Sequence, residues 1–525
     1  MVKGTSNPKG VVAAGHSETV KAAAEILRDG GNAFDAAVAA QLAAFAAEPV
    51  LTSPGGGGFL MAETSYGQQT LYDFFVQTPL EKRPPEELHF YPISADFGEA
   101  TQEYHIGPGS VATPGIIRGL FAIHRDLCTL PMQRLAEPAI SLAGNGVKMN
   151  PFQCGVFDIV KPIYRASDEA RNIYSSKNER DELIREGETL RLPYLADLLG
   201  QLAREGDALF YEGEIAQSVS RMSRESGGHL TRKDFKQYEV VRRKPLKMYF
   251  RDHALSLNPP PGSGGVLIAF GLQMMEKLCL EPHTFGSAEY INMLGQVQNM
   301  TGKARIDSFS EAGNQGEDTV LKLLDPAILK MYTRQIRERI SALRGTTQIS
   351  IADSEGNLAS LTSSNGEGSG LMVPGTDVML NNMLGEQDLN PEGFHNWKPN
   401  ERVTSMMAPG ILTMNGDTKV AFGSGGSNRI RTAILQVLIN LVDFGMNLQD
   451  AVNAPRIHCE AGRFNAENGF DVEEINGAAE NYPNRKIWKE KTLFFGGAHS
   501  VCKSPGGFSG AGDIRRGGES KIVSG

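Results

Sequence analysis

A threonine hydroxyl is a poor nucleophile until a base takes its proton. Thr346 stands where that difficulty has a compact solution. It opens the strand-like run TTQISIAD directly after Gly345, which has no side chain to shield its carbonyl. Attack of the Thr346 hydroxyl on the Gly345 carbonyl would form an ester, and hydrolysis of that ester would leave Thr346 as a new N-terminus. Its own α-amine, with an ordinary pKa of about 7.7–8.0, could then serve as the base. Hydroxyl-rich and glycine-rich segments follow downstream, TSSNGEGSG, VTSMMAP and GSGGS. Such segments can orient a hydroxyl and offer unhindered N–H groups to a developing oxyanion.

The surrounding elements must hold these residues in place. TTQISIAD and NLASLTSS alternate around the SEGN turn, which predicts a β-hairpin beginning at Thr346. AFDAAVAAQLAAFAA is small and apolar on most faces and reads as a helix buried between layers, capped by Asn32 with Asp35 three residues on. Ser17 opens an alanine-rich helix before it. VLTSPGGGGFLMAE and QTLYDFFVQTP read as strand-like segments around a glycine turn and PLKMYFRDHALSLNPPPGSGG as strands with a proline-glycine loop, whereas residues 115–240 are largely helical in pattern, and NERDELIRE reads as a solvated helix face. GGVLIAFGLQMMEKL and RTAILQVLINLVDFG predict further helices. The expected class is α+β, with central strands supplied by the C-terminal third.

The chain resembles the γ-glutamyltransferase (glutathione hydrolase) family of N-terminal-nucleophile hydrolases. The likeness rests on GVVAAGHSETVKAAAEILRDGGNAFDAAVAAQLAAFAAEP, SPGGGGFLM, GSVATPG, PPPGSGG, GTTQISIADSEGN, LNNMLGEQDL, TSMMAPGIL, GSGGSNRIRTAILQVLINLVDFGMNLQDAVNAPRIH, FFGGAHSV and GAGDIRRGG, in this order over nearly the whole length. It implies a four-layer αββα sandwich made as a precursor and self-cleaved before Thr346. Fragments 1–345 and 346–525 would stay associated as a heterodimer and form one composite domain. No metal or organic cofactor is implied, and the substrate is a small-molecule amide of the γ-glutamyl type.

The resemblance also implies roles. Thr346 matches the nucleophile, and Gly345, Thr346 and Thr347 match the processing site. Ser364 falls where a threonine hydrogen-bonds the nucleophile, and Thr404 and Ser405 match a serine pair beside the substrate carboxylate. Gly425 and Gly426 match the oxyanion glycines, with Ser427 an alternative by one residue of phasing. Several positions depart from the pattern. Gln348 replaces a histidine, and Phe75 occupies the place of the arginine that clamps the substrate α-carboxylate. Gly366 replaces an asparagine, and Met383 and Gly385 replace polar and acidic residues. Glu386, Glu367, Arg402 and Arg429 are the candidate replacement charges, Glu386 being taken as substrate-binding. A short stretch between Asn382 and Thr404 suggests an open site that favours hydrolysis. Two further readings stay open: an amide acylase with a less charged acyl pocket, like the cephalosporin acylases, and an unprocessed binding homologue.

Composition narrows the partners. A net charge of −9 and a pI near 5.7 argue against nucleic acid or an anionic membrane. The five cysteines, Cys128, Cys154, Cys279, Cys459 and Cys502, form no CxxC pair and read as reduced thiols without a zinc site. No apolar run approaches the ~20 residues that span a bilayer, and the first residues lack the apolar core of a signal peptide. A cytoplasmic protein is expected, or a periplasmic or secreted one if a leader has been trimmed. His16, His458 and His499 lack metal-ligand spacing and read as structural, as do Asp513 and Arg515 in GAGDIRR.

Overall fold

The helix Ala33–Ala47 has almost no polar face and is buried along its whole length. Its alanines allow close approach from every side. Asn32 and Asp35 form the capping box that the sequence predicts. Asn32 Oδ1 accepts from the Phe34 and Asp35 N–H groups at 2.8 and 2.9 Å, and the Asp35 carboxylate accepts from the Asn32 N–H at 2.8 Å. The preceding helix, Ser17–Arg28, is capped by His16, whose Nδ1 accepts from the Glu18 N–H at 3.1 Å, so this histidine is structural as expected. The structure, a computed structural model, describes residues 7–96, 101–179, 182–278, 284–310, 321–334, 346–390 and 392–525. Gly345, half of the expected cleavage bond, lies outside the described residues, as does Cys279.

Two antiparallel sheets form the centre. The seven-stranded sheet runs in the order Glu519–Ser524, Pro8–Ala14, Thr347–Asp353, Leu358–Ser364, Gly57–Glu63, Gln69–Phe74 and Val241–Arg243. The six-stranded sheet runs Gly507–Ala511, Ser500–Ser504, Thr418–Phe422, Gly410–Met414, His253–Leu257 and Leu246–Phe250. Period-two alternation sorts the side chains into layers. Val12, Ala14, Ile349, Ile351, Ala359 and Leu361 pack under the helices of residues 17–47, 132–145 and 193–205. Val11, Ala13, Phe59 and Met61 face the second sheet, whose outer side carries Gly264–Leu278, Ala288–Ser310 and Arg429–Val442. This is the αββα sandwich.

Between the sheets, beneath the start of the central strand, the packing turns polar. Gln348, the residue in the histidine position, is fully buried. Its Nε2 donates to Ser350 Oγ at 2.9 Å and Ser360 Oγ at 3.0 Å, and its Oε1 accepts from the Thr362 hydroxyl. Ser350 and Ser360 donate across to the carbonyls of His499 and Phe422 at 2.9 and 2.7 Å. A fully satisfied network of this kind fixes the register of one sheet on the other.

NERDELIRE departs from expectation. The helix Asp168–Tyr174 stops before it, and the described part is a loop with Leu183 bridged to Ser175 and buried together with Ile184. Those two apolar residues anchor the loop, while Arg185 pairs with Asp158 at 2.9 Å. The turn containing GAGDIRR holds a buried ion network instead of an ordinary strand brace. Arg456 and Arg515 reach Asp513 at 2.7 and 3.1 Å, and Arg515 also pairs with Glu467. Burial alone would raise the Asp513 carboxyl, but the two guanidiniums outweigh it and hold it well below the usual range. Removing one member leaves uncompensated buried charge, so Arg515→Met should lose about 3–5 kcal/mol. Urea-melt midpoints of the two proteins measure this; a loss below about 1 kcal/mol would show that the network is not a stability element.

Candidate active site

Thr346 directly precedes the strand Thr347–Asp353 and is buried, with 4% of its surface exposed. Thr347 pairs with Ser363 across the hairpin, so the next rung sets Thr346 opposite Ser364, which itself pairs with Gly57. Alternation sends the Thr347 side chain toward the helices. There its hydroxyl donates to Glu48 Oε2 at 2.6 Å, while Thr19 donates to Glu48 Oε1 at 2.8 Å. Glu48 is the residue that ends the buried helix. Burial raises its carboxyl above the usual range, against the two hydroxyl hydrogen bonds and the Arg516 charge. From the other side Arg516 donates through Nη1 to the Thr346 carbonyl at 3.1 Å. Its guanidinium is buried, which lowers its pKa to about 10 even with Glu367, Asp513 and Glu48 nearby. Asp513 and Arg515 lie in the same short turn, so the ion network positions Arg516.

Thr346, Ser364, Ser405 and Ser427 share one cleft of about 340 Å³. Phe75, Met383, Leu389, Met406, Met407 and Ile430 supply its apolar wall, and Glu386 and Asp388 its charge. Its described lining contains no arginine or lysine. Phe75 stacks on Phe59 with ring centroids 5.4 Å apart, which fixes an aromatic surface where a guanidinium was the pattern. Gly425 is partly a correction: its N–H donates to the Gly497 carbonyl at 3.2 Å and its carbonyl accepts from Gly497 at 3.1 Å. Among the described residues the N–H groups of Gly426 and Ser427 meet no acceptor, so the available donors fall one residue later. They precede the helix Arg429–Val442, whose N-terminal dipole favours negative charge at that point. Ser427 Oγ also donates to Asp388 at 3.1 Å.

Other candidates lie elsewhere. Thr404 does not line this cleft; its hydroxyl donates to the Pro261 carbonyl at 2.9 Å. Arg402 is committed to Asp73 at 3.4 Å, to the Tyr238 hydroxyl at 2.7 Å and to the carbonyls of Phe75 and Glu239. Arg429 donates to the Phe494 carbonyl at 3.0 Å, with its guanidinium 5.0 Å from that ring's centroid. Neither replaces the missing clamp. Two of the departures have a packing cause. Gly366 adopts φ +65°, and a Cβ there would stand 2.2 Å from Asn382 Oδ1 and 2.3 Å from Glu386 Oε1. At Gly385 a Cβ would lie 2.0 Å from the His105 carbonyl. Burial lowers His499 and His458 to about 4, and His499 Nδ1 accepts from the Asp513 N–H at 3.1 Å, so both are structural. Cys459 is a fully buried core thiol.

The sequence profile described as Gamma-glutamyltranspeptidase matches residues 19–523. The chain belongs to this family. It is an enzyme of the glutathione hydrolase-like, N-terminal-nucleophile class. The glutathione hydrolase proenzyme of Escherichia coli (strain K12) is 27% identical over 504 residues, covering 89% of this chain and 84% of that protein. The acylase ACY 1 proenzyme of Pseudomonas sp. (strain V22) is also 27% identical, over 542 residues, covering 100% and 95%. The crystal structure of cephalosporin acylase from Bacillus halodurans superposes with a TM-score of 0.84 at 23% identity, covering 99% of this chain and 97% of that one, a likeness of fold.

Glu48, Arg516 and Asp388 were not singled out as site residues from sequence. Glu48 is the one acid ending an otherwise apolar helix, and Arg516 a second arginine before a glycine pair; those were the available signals. The Glu48 geometry has a pH consequence. The folded chain holds this proton more tightly than the unfolded chain, so its contribution to stability falls as pH rises from about 4 through the raised value. Glu48→Gln should remove that component of the slope. Urea midpoints of both proteins across this range test it, and parallel pH profiles would refute it.

Proposed function

We propose that the chain cleaves itself before Thr346 and then hydrolyses amides of γ-glutamyl-type acyl groups through an acyl-enzyme. The observation that carries this reading is the setting of Thr346: opposite Ser364, gripped through Thr347 and its own carbonyl, beside the N–H groups of Gly426 and Ser427. In processing, Thr346 Oγ attacks the Gly345 carbonyl, the peptide C–N bond breaks and an ester forms. Water then cleaves the ester, leaving a carboxylate on Gly345 and a free amine on Thr346. In turnover the amine takes the Oγ proton as Oγ attacks the substrate carbonyl. Gly426 and Ser427 N–H groups stabilise the oxyanion, the leaving amine departs with the proton, and water resolves the ester.

Fragments 1–345 and 346–525 stay together in this reading as one composite domain. Its support is the sheet order: Thr347–Asp353 pairs with Pro8–Ala14, and Leu358–Ser364 pairs with Gly57–Glu63. Each fragment therefore supplies neighbours to the other's strands. Among the described residues no helix is long and apolar enough to cross a membrane. The carboxylates of Glu386 and Asp388 favour an acyl group bearing an ammonium, as γ-glutamyl does. The second reading, an acylase for less charged acyl groups, draws on Phe75 and the cation-free lining.

After long incubation, intact mass and N-terminal sequencing should give two fragments, the smaller beginning TTQIS. Thr346→Ala should remain one chain and lose anilide hydrolysis to background. A wild-type chain that stays whole would mean the nucleophile is never unmasked and would favour a binding protein. Rates on γ-glutamyl and glutaryl anilides separate the two substrate readings, since efficient γ-glutamyl turnover excludes the acylase. The acid limb of kcat/KM should lie at or below about pH 8, as an α-amine base requires.

A further inference from the structure

A second cleft of about 360 Å³ adjoins the first, with Leu389 lining both. The chain passes directly from one to the other, Ser405 facing the nucleophile cleft and Thr404 the second. Arg402, on the wall of the second cleft, donates to the carbonyl of Phe75 on the wall of the first. Trp397 lines the second cleft with 8% of its surface exposed, and its indole Nε1–H meets no acceptor among the described residues. Lys82 Nζ sits 4.7 Å from the centroid of its ring and the His229 ring packs edge-on at 5.1 Å, so the indole is held in place by contacts to its ring. A buried donor without an acceptor is costly, so a rigid one in a cleft wall is suited to an oxygen brought by a ligand.

We propose that the Trp397 cleft is a distal acyl subsite, which receives the terminal carboxylate of acyl groups longer than glutaryl. This rests on the acyl-enzyme reading above. The acyl group remains bonded to Thr346 through both half-reactions while the amine leaves and water enters, so it occupies the walled direction, past Phe75, Leu389 and Ser405. An aliphatic chain suits the apolar surface of Phe75, Leu389 and Val403. At the far end the indole N–H donates to the carboxylate, with Lys398 as a cation of the same wall. Glu392 and Glu401 also line this cleft.

Trp397→Phe keeps the ring and deletes the donor. Calorimetric titration with suberate should show saturable binding to wild type and about tenfold weaker binding to a Trp397→Phe protein that melts like wild type. Equal affinity in the two proteins, or no saturable binding to wild type, overturns the proposal. In turnover the ratio of kcat/KM for suberyl over glutaryl anilide should fall about tenfold in the variant, through KM. An unchanged ratio in active proteins also overturns it. If wild type hydrolyses no anilide yet suberate binding is weakened by Trp397→Phe, the reaction reading fails and the subsite stands.

Discussion

Two buried groups of opposite charge grip the first residues of the central strand. Glu48 takes the Thr347 hydroxyl on the helix side, and Arg516 takes the Thr346 carbonyl on the other. Between them they fix the backbone at Thr346, and with it the direction in which Oγ leaves the strand. Neither group could stay buried alone. Glu48 depends on two hydroxyl donors and the field of Arg516; Arg516 depends on Glu367, Asp513 and Glu48. The ion network of Arg456, Asp513, Arg515 and Glu467 follows from that requirement, because it places the turn that carries Arg516.

The two grips come from opposite ends of the chain. Glu48 ends a helix within the first fifty residues, and Arg516 lies near the C-terminus, yet both converge on a strand that begins at residue 347. This convergence needs both sheets in register, and the Gln348, Ser350, Ser360 and Thr362 network supplies that register between them. Gln348 is thus a structural member of the layer between the sheets, its amide donating and accepting at once.

Much of this was legible in the sequence where the signal is local. The capping box at Asn32, the hairpin around SEGN and the helix after GSGGS are short-range patterns, and each appears where its residues predict. The placing of Thr346 at a strand start is a local signal of the same kind, and the strand begins at the next residue. The rest depends on long-range packing. NERDELIRE has helical composition, but burial of Leu183 and Ile184 outweighs its propensity. Thr404 and Ser405 are neighbours in sequence and part company because one faces each cleft. Gly425 was a fair match by motif, but only the bridge to Gly497 shows that its N–H is already spent.

The altered pocket follows from the same packing and is not a set of independent losses. With the hairpin Tyr91–Asp96 and Thr101–Ile106 close behind Gly385, any side chain there would meet the His105 carbonyl. Asn382 and Glu386 then fill the space that a side chain at Gly366 would need, so that position must be glycine as well. Glycine at both positions leaves Glu386 as the buried acid on that side of the cleft. On the opposite wall, Phe75 needs no guanidinium because Arg402 has been drawn behind it, onto Asp73 and Tyr238, where it braces the wall from outside. A cleft built this way sets Thr346 and Ser427 against a wall that is largely apolar. Identity of 27% both to a glutathione hydrolase and to an acylase fits that picture, since one fold hosts different acyl groups and the walls of the site decide among them.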